Sequence, residues 1–270
     1  MKQRPFLTIT SDLGAQTEGI GAMHGVVIGI DPDIRIVDLA HGLPSFKLSS
    51  AARTLEAVRH LPVGYHVCVV APGVGTERRG IILKVRRGDY LIGPDNGVLL
   101  PAAHVLGGIE KAVLIKNEKF MNQPVSPVFH GRDVYAPVAA HLARGINIDE
   151  FGEKTEISQL HEAPYKDAVL DNEVWQAHVI HVNSYGNCQL NISREQWQGF
   201  LSAVGEAVGV QFKGKEVIRV EYQNAFGDVK EDQPLIYIDE LERISLALNL
   251  GNFAEEHEVA IGHSCIVWKG

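Results

Sequence analysis

Three stretches of this chain set a side chain able to do chemistry beside a glycine. Asp12 stands in Thr10-Ser11-Asp12-Leu13-Gly14, Arg78 and Arg79 follow the loop Pro72-Gly73-Val74-Gly75-Thr76, and His130 stands in Phe129-His130-Gly131-Arg132-Asp133. A Pro-Gly-x-Gly loop between two β-branched runs is turn chemistry with little bulk, so its backbone can approach a ligand closely. Two arginines leaving such a loop predict an anion or a polar reactant beside it. Asp12 suits ligand binding or, equally, an acidic turn or helix N-cap. His130 suits a functional role or an ordinary surface or capping one. Together they predict a small-molecule site, with no nucleophile–base pair evident from spacing. Gly14-Ala15-Gln16 is not a P-loop and no GxGxxG follows a strand, so ATP and NAD readings fail. Twelve histidines and three cysteines show no HExxH or Cys/His ligand spacing, which disfavours a metal.

The elements that must position these residues are legible in outline. Residues 6–10 read as a buried strand, and Ile20, Met23, Val27 and Ile30 then recur at helix spacing. Asp12 therefore falls between a strand and a helix, at the edge where open α/β sheets bind ligands. Residues 34–39 read as a second strand, 49–60 as a helix, and 65–70 as a third strand that delivers the Pro-Gly loop. Residues 80–85 and 90–92 read as a hairpin, followed by the turn Gly93-Pro94-Asp95-Asn96-Gly97. Residues 134–143 read as a helix with Pro137 in its first turn. The alternation predicts an α/β N-terminal domain over residues 1–165, with a mixed, largely parallel sheet covered on both faces. Residues 145–170 are polar and irregular and are expected to form a linker. Short strand-like segments at 174–182, 208–212, 215–222, 235–238, 244–248 and 264–268, with a helix over 195–205, predict an all-β barrel-like C-terminal domain over residues 170–270.

Bulk properties narrow the function. Net charge is −8 and no basic cluster exceeds two adjacent residues, which argues against nucleic acid and acidic membrane as partners. No apolar run reaches transmembrane length, and the N-terminus leads into a strand without a signal-peptide core. Cys68, Cys188 and Cys265 lie far apart in apolar segments, which predicts reduced, buried thiols in a reducing compartment, the cytoplasm.

Five motifs in a fixed order carry a resemblance: Thr10-Ser11-Asp12-Leu13-Gly14, Pro72-Gly73-Val74-Gly75-Thr76, Gly93-Pro94-Asp95-Asn96-Gly97, Phe129-His130-Gly131-Arg132-Asp133, and Tyr185-Gly186-Asn187 followed by Asn191-Ile192. The chain resembles the S-adenosyl-L-methionine (SAM) hydrolases, also called SAM hydroxide adenosyltransferases, kin to the fluorinating and chlorinating enzymes that attack the same substrate. The resemblance spans nearly the whole chain. It implies an N-terminal α/β domain, a C-terminal β-barrel and a homotrimer, with substrate held between the N-domain of one subunit and the C-domain of the next. The implied reaction converts SAM and water to adenosine and L-methionine by attack at ribose C5′. Sulfonium is already a good leaving group, so no metal, acid or cofactor is implied. The enzyme must supply a partly dehydrated, aligned oxygen nucleophile.

The family does this with an Asp-Arg-His network around one water. Arg78 and His130 match two of its members, whereas Ala71 stands at the aspartate position. Alanine accepts neither a proton nor a hydrogen bond. Either an active hydrolase has lost this carboxylate by substitution, or the chain is a natural variant with altered chemistry; both imply SAM binding with impaired turnover. By the same resemblance, Asp12 matches the carboxylate that holds the ribose hydroxyls, and Phe46 an aromatic beside the nucleoside. Asn187 matches an adenine-contacting amide and Tyr185 a stacking aromatic, while Asn183 stands where an aspartate commonly meets the methionine ammonium. Where the family usually shows a serine-glycine pair, this chain reads Glu240-Leu241-Glu242-Arg243, with Arg243 a substitute for recognising the methionine carboxylate. Backbone groups near Leu248 are expected against adenine. Two other readings compete: a SAM-dependent halogenase, and a non-catalytic SAM or adenosine sensor.

Overall fold

The structure, a computed structural model, describes residues 4–14, 16–44, 47–70, 73, 76–201 and 203–270. Ala71 and Phe46 therefore lie outside the described residues. The chain divides into two compact units, residues 1–164 and 165–270.

The first unit is organised by β1 (Phe6–Ser11), whose residues are buried from Leu7 onward. The other strands are β2 (Arg35–Ala40), β3 (Tyr65–Val69), β4 (Gly80–Val85), β5 (Tyr90–Pro94) and β6 (Ile109–Leu114), in the spatial order β2-β1-β3-β5-β4-β6. Neighbours among β2, β1, β3 and β5 are parallel; β4 pairs antiparallel with β5 and β6. The helices are α1 (Glu18–Ile30), α2 (Leu48–Leu55), α3 (Leu100–Val105) and α4 (Ala136–Ala143). Side chains alternate between sheet faces. Leu7, Ile9, Val67 and Ile92 pack with Met23, Val27 and Val138 of α1 and α4. Thr8, Thr10, His66 and Cys68 on the alternate face are buried as well, so both faces are covered. Two polar members of that face are paired: Thr8 Oγ1 meets His66 Nδ1 at 2.9 Å and His66 Nε2 meets Asp89 Oδ1 at 3.0 Å.

The topology makes a crevice. From β1 the chain goes to β2 on one side and then to β3 on the other, so the connections after β1 and β3 diverge at their carboxyl ends. The polar stretch expected to be a linker is instead packed on the sheet's edge. Phe151 is fully buried, and the N–H groups of Leu114, Lys116 and Thr155 donate to Glu153, Phe151 and Ala112 carbonyls at 2.8, 2.9 and 3.0 Å.

The second unit holds β7 (Val169–Asp171), β8 (Val174–Val182), β9 (Cys188–Ser193), β10 (Ala207–Phe212), β11 (Val217–Tyr222), β12 (Pro234–Ile238), β13 (Arg243–Leu248) and β14 (Ser264–Lys269), with the short helices α5 (Arg194–Trp197) and α6 (Phe253–Glu256). Strand order is β14-β10-β11-β12-β13-β9-β8-β7, and β14 also pairs with β8, which closes seven strands into a barrel and leaves β7 outside the ring. Val179, Leu190, Val210, Ile236, Leu246 and Val267 fill it. The helix expected over 195–205 is only α5. A Ser193–Gln196 capping box starts it, and Gly199, at φ 84°, turns the chain back so that Trp197 and Phe200 enter the core.

Candidate active site

Asp12 follows the last residue of β1, and its backbone N–H donates to the Val69 carbonyl at the end of β3 at 3.4 Å. The preceding Ser11 hydroxyl lies 2.7 Å from His41 Nδ1, and His41 Nε2 lies 2.9 Å from the Asp38 carboxylate, which also meets His24 Nε2 at 2.8 Å. This chain of contacts ties the β1 edge to the end of β2. Beneath it the Cys68 thiol is held far above its ordinary pKa, first by burial and then by the charge of Asp12. It is a packed thiol, not a nucleophile.

The two arginines leaving the loop have different jobs. Arg79 is ion-paired to Asp95, which is nearly inaccessible, and also donates to the Gln159 carbonyl. Asp95 returns its own N–H to the Arg79 carbonyl at 2.9 Å, and Asn96 Nδ2 donates to the Val70 carbonyl at 3.2 Å. The turn after β5 thus grips both ends of the loop between β3 and β4. Arg78 instead turns toward His130 and Tyr135. Its guanidinium charge acts on both the Tyr135 hydroxyl and the His130 ring.

His130 is placed by a π-helical turn, Gly131–Tyr135, that leads into α4; it is the residue before that turn. Gly131 lets that turn pack closely. A Cβ at this position would come 3.0 Å from Met23 Sδ and 3.2 Å from Val69 Cγ1, so any other residue would force these side chains of α1 and β3 to give. Asp133 is buried and fixes the turn. It accepts from Arg132 at 2.7 and 2.8 Å, from Asn122 at 2.8 Å and from the Ser126 N–H at 2.9 Å. The His130 pKa is lowered first by burial and then by Arg78, against the opposing charge of Asp133. A neutral imidazole beside a fixed guanidinium can take a proton from a water that the guanidinium polarises.

In the second unit, Asn183, Tyr185 and Asn187 share the loop between β8 and β9. The Asn183 side-chain oxygen accepts from the Tyr185 and Asn187 N–H groups, both at 3.0 Å. Gly186 sits at φ 81° against Asn252, and its carbonyl accepts from the Ala254 N–H. The loop is therefore rigid, yet the Tyr185 ring is 76% exposed. Asn187 is buried and its amide donates to the Tyr237 hydroxyl at 3.4 Å.

Leu248 ends β13 at the same end of the barrel. Arg243 and Glu240 do not join that cluster. Arg243 pairs with Ser193 whereas Leu246 pairs with Cys188, so the turn carrying Glu240 lies at the opposite end of β9, about 17 Å away by strand rise. Arg243 is buried, with its guanidinium 5.3 Å from the Tyr165 ring centre and 3.8 Å from Asp167. Asp239 shapes that turn by accepting from the Leu241 N–H at 2.9 Å, the Arg243 N–H at 3.1 Å and the Ser245 hydroxyl at 2.8 Å. Tyr135 and Asn96 escaped the sequence reasoning as site-shaping residues. Tyr135 lies two residues beyond the His130 motif, where no helical periodicity points to it. Among the described residues, no group of three or more His, Cys, Asp or Glu could hold a metal ion, and no helix is long and apolar enough to cross a membrane.

The chain has known relatives in family and in fold. The family model of the SAM hydroxide adenosyltransferase N-terminal domain matches residues 7–152, and that of the C-terminal domain residues 177–266. An (R)-S-adenosyl-L-methionine hydrolase from Salinispora tropica is 36% identical over 271 residues, covering 100% of both chains. A protein of the same name from Thermus thermophilus is 32% identical over 91% of this chain and 92% of its own, and a fluorinase from Nocardia brasiliensis is 23% identical over 99% and 98%. A crystal structure of an uncharacterised conserved protein from Thermotoga maritima superposes with a TM-score of 0.90 at 28% identity, covering 97% of this chain and 100% of that one. With an α/β unit, a closed barrel and both family domains in order, the chain belongs to the SAM hydroxide adenosyltransferase family.

Proposed function

We propose that this protein hydrolyses SAM to adenosine and L-methionine without a cofactor. The observation that carries the reading is His130 beside Arg78, where burial first and the Arg78 charge second hold the imidazole pKa below its ordinary value. A water oxygen attacks ribose C5′ and the C5′–S bond breaks with its electron pair to sulfur, releasing neutral methionine thioether. The proton of the attacking water passes to the His130 ring. Asp12 holds the ribose hydroxyls. Tyr185, Asn187 and the backbone near Leu248 receive adenine and Asn183 faces the methionine ammonium, whereas Arg243 and Glu240, at the opposite end of β9, take no part in binding. Phe46 flanks the nucleoside. The barrel loop of one subunit completes the α/β edge of the next in a homotrimer, and the free, buried cysteines suit a reducing cytoplasm.

The relatives are named for the (R) sulfonium form, so that epimer is the proposed substrate. Ala71 stands where the family carries its aspartate, so turnover is slow, and Ala71→Asp is expected to raise it by ~10²–10⁴-fold, the usual contribution of a positioned proton acceptor. The test is to incubate each SAM epimer with the protein and with A71D and to quantify adenosine and methionine. Absence of both products from both proteins would sink the proposal. Ala71 also favours a second reading, a non-catalytic SAM or adenosine binder, which calorimetric binding without methionine release would establish. Formation of 5′-chloro-5′-deoxyadenosine in chloride would instead point to a halogenase.

A further inference from the structure

Tyr135 is 1% exposed, yet carries a hydroxyl where phenylalanine would fill the same space. A buried hydroxyl costs free energy unless it is bonded. The Arg78 charge acts on that hydroxyl, and the ring is held in place from two sides. On one side, a Cβ at Gly80 would lie 3.1 Å from Tyr135 Cε1, so the ring rests on the glycine that opens β4, two residues after Arg78. On the other, Tyr135 closes the π-helical turn that His130 precedes, and the two rings meet edge to face with centres 6.5 Å apart. Single π turns inside helices recur at functional sites because they re-aim a side chain. Here the turn sets two side chains, five residues apart, against one guanidinium.

We infer that the Tyr135 hydroxyl is a positioning residue, which accepts a hydrogen bond from Arg78 and aims its guanidinium at the water shared with His130. The inference rests on the hydrolase reading above for its effect on rate, but not for the contact itself. Arg78 presents a planar fork of donors. One donor spent on a rigid phenol fixes the plane of the fork and leaves the others for the water. The charged groups bearing on His130 are Arg78 and Asp133, with Arg132 bound to Asp133. Loss of the tether therefore moves Arg78 while the Asp133 pair stays in place.

The test is Tyr135→Phe, with Tyr90→Phe on the same sheet as a control. Hydrolysis kinetics and the His130 titration, followed by NMR on the unliganded protein, are measured for each. Expected for Y135F are a kcat lowered roughly ten- to hundredfold, a KM within about twofold, and a His130 midpoint moved up toward that of an ordinary imidazole. Y90F should change neither. In the Arg78→Met background the His130 midpoint should already be raised, and adding Tyr135→Phe should move it no further. An unchanged His130 titration in Y135F overturns the inference whatever the rate does, and so does a shifted titration with kcat unchanged. If Y135F does not fold, R78M decides: a His130 midpoint unmoved by it overturns the inference. If no variant, including the parent, hydrolyses SAM, the proposed activity falls, and the titrations still decide whether Tyr135 holds Arg78.

Discussion

Asp12 and Val69 join the ends of two parallel strands: the Asp12 N–H donates to the Val69 carbonyl at 3.4 Å. The carboxylate proposed to bind ribose is thereby held on the strand edge that leads into the Arg78 loop. Because this bond uses the backbone, it survives any substitution of the side chain.

Asp12→Ala should therefore weaken SAM and adenosine binding without unfolding the unit. Hydrogen bonds to a charged group are worth about 1.5–3 kcal/mol, or about ten- to hundredfold in affinity. Calorimetric titration with adenosine measures it, and an unaltered affinity would remove Asp12 from the site.

Tyr185→Ala should separate binding from stability. The ring is 76% exposed on a loop that Asn183 holds through backbone N–H groups, so the loop does not depend on it. Stacking worth about 1 kcal/mol predicts about fivefold weaker adenosine binding. The melting temperature should match that of the parent, and a clear drop in it would show that the ring is structural.

The rate should have an acid limb set by His130. Burial, then Arg78, lower its pKa, so the reactive neutral ring is lost only as pH falls below the ordinary histidine range. The rate should rise with pH through that lowered midpoint and be level by about pH 7. Arg78→Lys, which keeps the charge on a more mobile stem, should shift the limb less than Arg78→Met. Identical profiles for the two variants would exclude the positive charge at position 78 as a cause.

Asp133→Asn should flatten the acid sensitivity of folding. Burial raises the Asp133 pKa, but hydrogen bonds from Arg132, Asn122 and the Ser126 N–H outweigh it and bring it down to about 2. A depressed folded pKa adds stability above the unfolded value of about 3.9, and that stability is lost as pH falls toward 2. Urea melts should show D133N less stable by about 1.5–3 kcal/mol at pH 7 and converging with the parent near pH 2. Parallel pH curves would contradict this.

What the sequence made legible was whatever repeats with a period or sits in a turn. The strand before Asp12, strand β3 and the helix after His130 all stand where their patterns place them. Strand β6 was hidden because Glu110 and Lys111 break its alternation; they ion-pair with Lys84 and Asp149 at the sheet surface. Strand β9 was hidden for the opposite reason. Gln189 and Asn191 are polar but buried, bonded to Asp239 and to the Lys166 carbonyl, so hydropathy reads them as loop. The division of labour between Arg78 and Arg79 could not be read from adjacent identical residues, since it depends on Asp95, sixteen residues on. The π turn has no sequence period that distinguishes it from an ordinary helix start.

The grip of one turn on both ends of the Arg78 loop has an evolutionary consequence. Asn96 holds the chain at Val70 and Asp95 holds it at Arg79, so the mooring points do not depend on the residues between them. That span behaves as an exchangeable cassette. Its composition, position 71 included, can drift or be rebuilt for a different nucleophile while the sheet edge that carries Asp12 keeps its shape. A scaffold moored in this way tolerates change between its two fixed points without losing the strand ends that flank them.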